Sequence, residues 1–523
     1  MTPPVYPTNL AKLVAAVFGA MLLFRPAVVR TAEPVTQEKA AVVARTIDRL
    51  LDEHWRRERI TPTAVAHDTA LFRRLTLDLA GRIPTAREIE RFNADSARDK
   101  YARTVHQLLD GPEFSWHFGA VLDDMIQGPF AGNSAFLNYL RTSLRDGKSW
   151  DSVFREMMLG PWDTKERKPA AAFLARRAKD LDRLTADVTR SFFGVNISCA
   201  RCHNHPLVKD WKREHYYGMA AFLVRTTGGK GAVSEKNEGE ARFAGKDGKE
   251  RIVPMMFLSG RKPDERAQSA TGTKGKKISR REVLVRLALE DGKFLSRAFV
   301  NRMWEYFLGR GLVDPVDQIH SGNPASVPAL LDALAADFLS SGYDIRRLIA
   351  GIVLSRAYRL DSRWTDSATA PDAKHFAVAR LRPLSSRQLA ASLVIALGDG
   401  RFEPTSENLT RLEKQTTELA KHLDSRTREF QSSTGEALFL SNSATVRKLV
   451  AADGDNLTAR LAALREDRAL VKAAFTATLG RSPTAAESER LVHWLRRSGH
   501  DRRTACEDMA WALVTSAEFR FNH

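Results

Sequence analysis

The sequence predicts a mainly α protein: two helical domains joined by a basic, glycine-rich linker that holds a short β-hairpin. Three observations predict it. Apolar residues recur at helical spacing along most of the chain, as in 41–57, where Val43, Ile47, Leu50 and Leu51 share a face. Strand-like alternation is rare, and its best examples are the short phrases ARF (241–243) and RIVPMMF (251–257). Between 226 and 281 the helical pattern gives way to nine glycines and fourteen Lys and Arg against seven Asp and Glu. Such a stretch reads as a flexible, solvated connector.

From the N-terminus, residues 13–24 read LVAAVFGAMLLF, an apolar core preceded by Lys12. This is the pattern of a secretory signal over residues 1–32, with the cut after Ala32. Arg25 and Pro26 follow at once, and Arg30 stands where a small residue is usual, so an uncleaved signal anchor is a second reading and a buried helix of the mature fold a third. The first two predict export to the periplasm or cell envelope, an oxidising setting in which vicinal cysteines can pair. No apolar run reaches the ~18 residues of a confident transmembrane helix. A chain of 523 residues, 43% hydrophobic, is long enough for two to four domains, and three cysteines exclude a disulfide-built scaffold.

The next helix is DTALFRRLTLDLAG (68–81), stopped by Gly81. Ile83-Pro84-Thr85 opens another, with Thr85 as N-cap and Glu88 at the capping-box position. This passage is echoed later. LFRRLTLDLAGRIPTAREIERF (71–92) and LVKAAFTATLGRSPTAAESERL (470–491) share one grammar, and LLDGPEF (108–114) is matched by LVTSAEF (513–519). LIAGIVLSRAY (348–358) is a third, partial copy. We read a duplicated helical hairpin flanking the chain. DVTRSFFGVNI ends a helix near Gly194, and HYYGMAAFLV (215–224) reads as an apolar helix. The polar stretch 399–435, whose TRLEKQTTELAKHL reads as an exposed helix, separates helices near 386–397 and 443–451.

The chemistry concentrates at FFGVNISCARCHNHPLVKDW (192–211). Cys199 and Cys202 flank two residues and His203 follows directly, the spacing of c-type haem attachment. Two thiols on one turn can each add to a haem vinyl group, and the adjacent imidazole then lies under the iron as proximal ligand. Met219, His205, His215, Met255 and Met256 are the sixth-ligand candidates, and Tyr216, Tyr217 and Phe222 the aromatic residues that could wall a haem or form ordinary core. A second reading binds zinc through Cys199, Cys202, His203 and His205, because two thiolates plus imidazoles on a tight loop suit tetrahedral zinc. A third is a simple Cys199–Cys202 disulfide. Cys506 reads as a buried free thiol.

CARCHNHPLVKDWKREHYYGMAAF resembles the signature of the planctomycete cytochrome-like domain of unknown function, and LFRRLTLDLAGRIPTAREIERF resembles that domain's opening. FLSRAFVNRMWEYFLGRGLVDPVDQIHSGNPASVPALLDALAADFLSSGYDIRRLIAGIVLSRAYRL (294–360), RPLSSRQLAASL (382–393), EALFLSNS (436–443) and ACEDMAWALVTSAEFRFNH (505–523) resemble its usual C-terminal companion domain, also of unknown function. The resemblance covers about 40–523 with gaps in the two linkers. It implies an exported protein, a cytochrome-like domain over 33–225, the linker at 226–281 and the companion domain over 282–523. It does not establish haem, because the family's name rests on the Cys-x-x-Cys-His motif. The chain departs from the family's pattern at WHFGAVLDDMIQG (116–128), where a Trp-Leu-Asp phrase is usual, and at Val327, where His is common.

Other chemistries find little support. There is no nucleophile elbow and no phosphate loop. Asp123 and Asp124 are adjacent, so on a helix they diverge by ~100° and make a poor acid/base pair. Asp314 and Asp317 with His320 form a second candidate, for metal or polar contacts, against the commoner role of capping a turn. Arg302 and Arg310 could meet an anion, while Trp304 reads as core. The net charge of +18 favours anionic partners. No nucleic-acid motif appears, which leaves an acidic glycan or envelope surface as the target of the charge. The leading function is an exported electron-transfer protein carrying haem c and meeting a redox partner protein. The alternative is a zinc-stabilised binding or structural protein of the cell envelope. No enzymatic reaction is assigned.

Overall fold

The structure is a computed structural model that describes residues 37–128, 132–204, 208–229, 232–244, 248–264, 279–366, 369–423, 433–497, 499 and 501–523. The signal expected at 1–32 lies outside the described residues, as does His205. Among the described residues there are 24 α-helices, and every sheet is a two-stranded antiparallel pair, so the fold is mainly α with short hairpins. No described helix is long and apolar enough to cross a membrane.

The local readings translate directly into elements. The first helix is Gln37–Glu58, with Val43, Ile47, Leu50 and Leu51 buried on one face. Asp68–Ala80 ends at Gly81, whose N–H returns to Thr76 O and Leu77 O. Thr85 caps the next helix: Glu88 N–H donates to Thr85 Oγ1 at 3.2 Å, and Thr85 N–H to Glu88 Oε2 at 2.7 Å. Arg242–Ala244 pairs with Glu250–Ile252 as the strand phrases suggested, and Thr226–Gly229 pairs with Ala232–Glu235. Val253, Met255 and Met256 then leave the strand and bury in the core.

The internal echo is a structural repeat. Arg82 forks onto Glu88 (2.8 Å) and Glu113 (2.7 Å). Arg481 forks onto Glu487 (2.8 Å) and Glu518 (2.6 Å). In both copies the acidic residue of the capping box and the acidic residue of the returning helix grip one arginine placed just after a helix-ending glycine. Planar guanidinium matched to two carboxylates holds the hairpin closed.

The buried core divides near residue 380, not at the basic stretch. One apolar cluster joins residues of 40–223 with residues of 283–377. A second gathers 384–519 and takes in Leu77 and Ile83 from the first hairpin. The physical reason is that both ends of the basic stretch are pinned. Glu235 accepts from Ser279 Oγ at 2.6 Å, Glu240 pairs with Arg225 and Arg280, and buried Arg281 donates to Met158 O at 2.6 Å. The helix Ile345–Leu354 lies against the first helix so closely that a Cβ on Gly351 would sit 2.3 Å from Val43 Cγ1. Only glycine admits that approach.

Candidate cysteine and histidine site

The site is set by the end of the helix Leu181–Phe193. Gly194 adopts φ 65° and returns its N–H to Arg190 O, which turns the chain out of the helix. Ile319 N–H donates to Gly194 O at 3.1 Å, and a Cβ on Gly194 would come within 2.7 Å of Ile319 Cδ1. The companion-domain loop therefore seats on the root of the Cys/His segment, an approach only glycine allows.

Ser198–Arg201 then forms a single 3-10 turn, with Ala200 fully buried beneath it. Residues three apart eclipse on such a turn. Cys199 and Cys202 are three apart and both exposed, as free thiols, on the side away from Ala200. His203 is exposed, and its Nδ1 lies 2.8 Å from Asn204 O. A carbonyl only accepts, so Nδ1 carries the hydrogen and the neutral ring presents a lone pair at Nε2. Asn204 is itself held by Arg213 N–H at 3.0 Å.

A polar relay fixes the turn. Arg201 contacts Cys202 and donates to Asp182 at 2.6 Å, and these hydrogen bonds, Cys202 first, raise its pKa. Asp182 also accepts a short hydrogen bond from Tyr216, whose pKa burial raises further. The relay escaped the sequence reading because Asp182, Arg201 and Tyr216 fall on three elements with no shared periodicity.

Several expected partners are buried or held by other bonds. Met219, Met255 and Met256 are buried in the core, at 0%, 1% and 7% exposure. Tyr216 and Phe222 are core residues, while half-buried Tyr217 packs against Phe243 with the rings tilted by 30°. His215 takes the Lys212 N–H at Nδ1 (3.2 Å), and burial, then Lys212, holds its pKa below the usual range. The second candidate is dispersed: Asp314 pairs with Arg310 at 3.1 Å and Asp317 with Arg302 at 3.6 Å. Trp304 is fully buried, and so is Cys506. Among the described residues no three His, Cys, Asp or Glu side chains gather to hold a metal ion. His205, the fourth donor of the expected zinc site, lies outside them.

The chain is thus a helical protein whose exposed Cys/His turn leans on the loop of a companion domain. Residues 46–227 match PSCyt2, a protein of unknown function (DUF1549), and residues 279–426 match PSD1, a protein of unknown function (DUF1553). The two domains follow one another in this order, the pair that the quoted phrases imply. No curated protein and no solved structure matches it.

Proposed function

We propose that the turn at 199–203 is a covalent attachment site for haem c and that the protein is an exported electron carrier. One observation carries this reading: Cys199 and Cys202 share the solvent face of one turn, beside an imidazole whose Nδ1 is tied to Asn204 and whose Nε2 is the lone-pair nitrogen. This donor set fits the group. Cys199 and Cys202 would hold the haem through its two vinyl groups, and His203 Nε2 would bind its iron. When bound, the haem supplies a one-electron couple. The chain's own residues present and orient it: Ala200 anchors the turn, Arg201 and Asp182 fix its outer edge, and Asn204 sets the His203 tautomer. Met219, Met255 and Met256, the methionines among the sixth-ligand candidates, are buried.

The test is expression with the export signal in a host that matures c-type cytochromes, followed by a reduced pyridine spectrum and metal analysis on one sample. One covalent haem per chain, surviving denaturation and lost in Cys199→Ser and Cys202→Ser, is the expected result. Zinc at one per chain without haem, weakened equally by His203→Ala and His205→Ala, would replace this reading with the zinc-stabilised envelope protein. Neither cofactor would leave a disulfide loop.

A further inference from the structure

The cysteine turn sits in a basic rim built from three segments. Arg201 is on the turn itself, exposed, and meets Asp182 at 2.6 Å. The chain returns beside the turn through Lys209, Lys212 and Arg213, since Arg213 N–H donates to Asn204 Oδ1 at 3.0 Å. Arg213 carries the contact onward. Its guanidinium donates to Ala244 O at 3.1 Å and lies 4.4 Å over the Phe243 ring. The hairpin of Arg242–Ala244 with Glu250–Ile252 is thereby fixed beside the segment that holds Asn204, and it adds exposed Arg242, Lys249 and Arg251.

The carboxylates of the rim do not cancel its positive charge. Seven Lys and Arg stand on the described residues of 198–214 and 242–252, against Asp210, Glu214 and Glu250. Even with Asp182 added, the excess of cations is steeper here than the 81 against 63 of the whole chain. Asp210 is occupied by Ser321, whose hydroxyl and N–H donate to it at 2.6 and 2.7 Å. Glu250 lies as far as 3.9 Å from Arg242. Exposed Lys209 and Lys212 have no carboxylate within ion-pair distance among the described residues. Exposed charges of one sign steer an oppositely charged partner and set its orientation.

The rim also holds an apolar spot. Ile252 pairs in register with Arg242 and is 57% exposed. An apolar contact point inside a polar rim is the anatomy of a protein interface. An acidic polysaccharide would use the charges but not the isoleucine.

We propose that this rim is the docking face for an acidic protein, seated over Cys199, Cys202 and His203 with Ile252 at its contact. The partner's purpose, electron exchange, rests on the haem reading; the docking face itself does not.

Two measurements on the full chain test it. The first uses protein made without haem maturation, with Cys199 and Cys202 reduced. Their initial rates with dianionic dithiobis-nitrobenzoate and with neutral dithiodipyridine are compared, because the ratio cancels thiolate content and reports the local potential. The ratio should fall about fivefold between low salt and about 1 M salt, where the Debye length is about 3 Å. The double variant Lys212→Glu, Arg242→Glu should lower the low-salt ratio in the same way, while Lys472→Glu, exposed on the helix Asp467–Leu479, should not. Cys506 staying unreactive checks that each variant is folded. The second measurement is calorimetric binding of an acidic flavodoxin and of alginate. Flavodoxin should bind in a salt-sensitive way and weaken about tenfold with Ile252→Ser. A ratio unmoved by salt and by the double variant overturns the proposal, as does flavodoxin binding unchanged by Ile252→Ser. Absence of flavodoxin binding also overturns it, and alginate binding in its place would assign the rim to an acidic polymer. The thiol measurement needs no haem, so a missing haem and a missing field are separate results.

Discussion

Arg82 and Arg481 make the same bonds at different depths. Each forks onto the acidic member of a capping box and onto a glutamate from the returning helix, but Arg82 is 1% exposed and Arg481 30%. The first copy is sealed by Phe402, whose ring lies 4.8 Å from the Arg82 guanidinium, and by the bond from Ile83 N–H to Ser392. The second copy borders a cavity of about 990 Å³.

Depth should decide the cost of breaking each fork. Arg82→Ala leaves Glu88 and Glu113 without their buried partner and should cost about 3–5 kcal/mol. Arg481→Ala leaves solvated carboxylates and should cost about 1 kcal/mol. Urea denaturation of the two variants checks the ordering, and equal losses would mean that burial is not the deciding variable.

Two histidines make stability depend on acid. His54 is buried, with Arg57 donating to its Nδ1 at 3.1 Å, so its Nε2 hydrogen points to His375 Nδ1 at 2.9 Å. Burial, then His375, lowers the His54 pKa. Burial, then Arg387, pushes His117 down to about 3. Below about 6.5 the unfolded chain binds protons that these folded rings refuse. Their contribution is therefore present above pH 6.5 and declines as pH falls from there toward 3. His54→Phe and His117→Phe should each flatten the melting temperature against pH across this window.

The three thiols should separate cleanly by reactivity. In protein made without haem maturation, Cys199 and Cys202 are exposed and should react with a disulfide reagent in the native state. Cys506 is fully buried, and burial raises its thiol to about 11, so it should react only after unfolding. A third fast thiol in the native protein would contradict the burial of the helix Arg502–Thr515.

Gly351→Ala places a methyl group 2.3 Å from Val43 Cγ1 in a closely packed seam. Overpacking of this kind costs about 1–3 kcal/mol. Val43→Ala should recover part of the loss in the double variant, and a merely additive double variant would show that the two positions are uncoupled.

Much of this was legible in sequence, for reasons specific to each part. Helix boundaries followed from Thr85, Gly81 and Gly194, where cap chemistry is local. The Arg82 and Arg481 forks could be anticipated as a repeated phrase but not as bonds, since Glu113 and Glu518 reach their arginines only through tertiary packing. Cys199, Cys202 and His203 were identified by spacing alone, while the His203 tautomer depends on a bond to Asn204 that spacing does not encode. The methionines offered as iron ligands satisfy a chemical rule but sit in the core, because apolar side chains bury wherever packing permits. Arg201, Arg213 and Arg242 come from three separate elements, and no motif marks them as one face.

The core shared across the basic stretch has a practical consequence for anyone dissecting the gene. The chain can be cut in sequence at 265–278, between the two matched regions, yet each half would then lose the apolar surface that the other covers. Expressed alone, either half should behave as an aggregation-prone fragment. Produced together from separate messages, the halves should find one another and rebuild the native body, so that the two names in the sequence describe a single cooperative unit of folding.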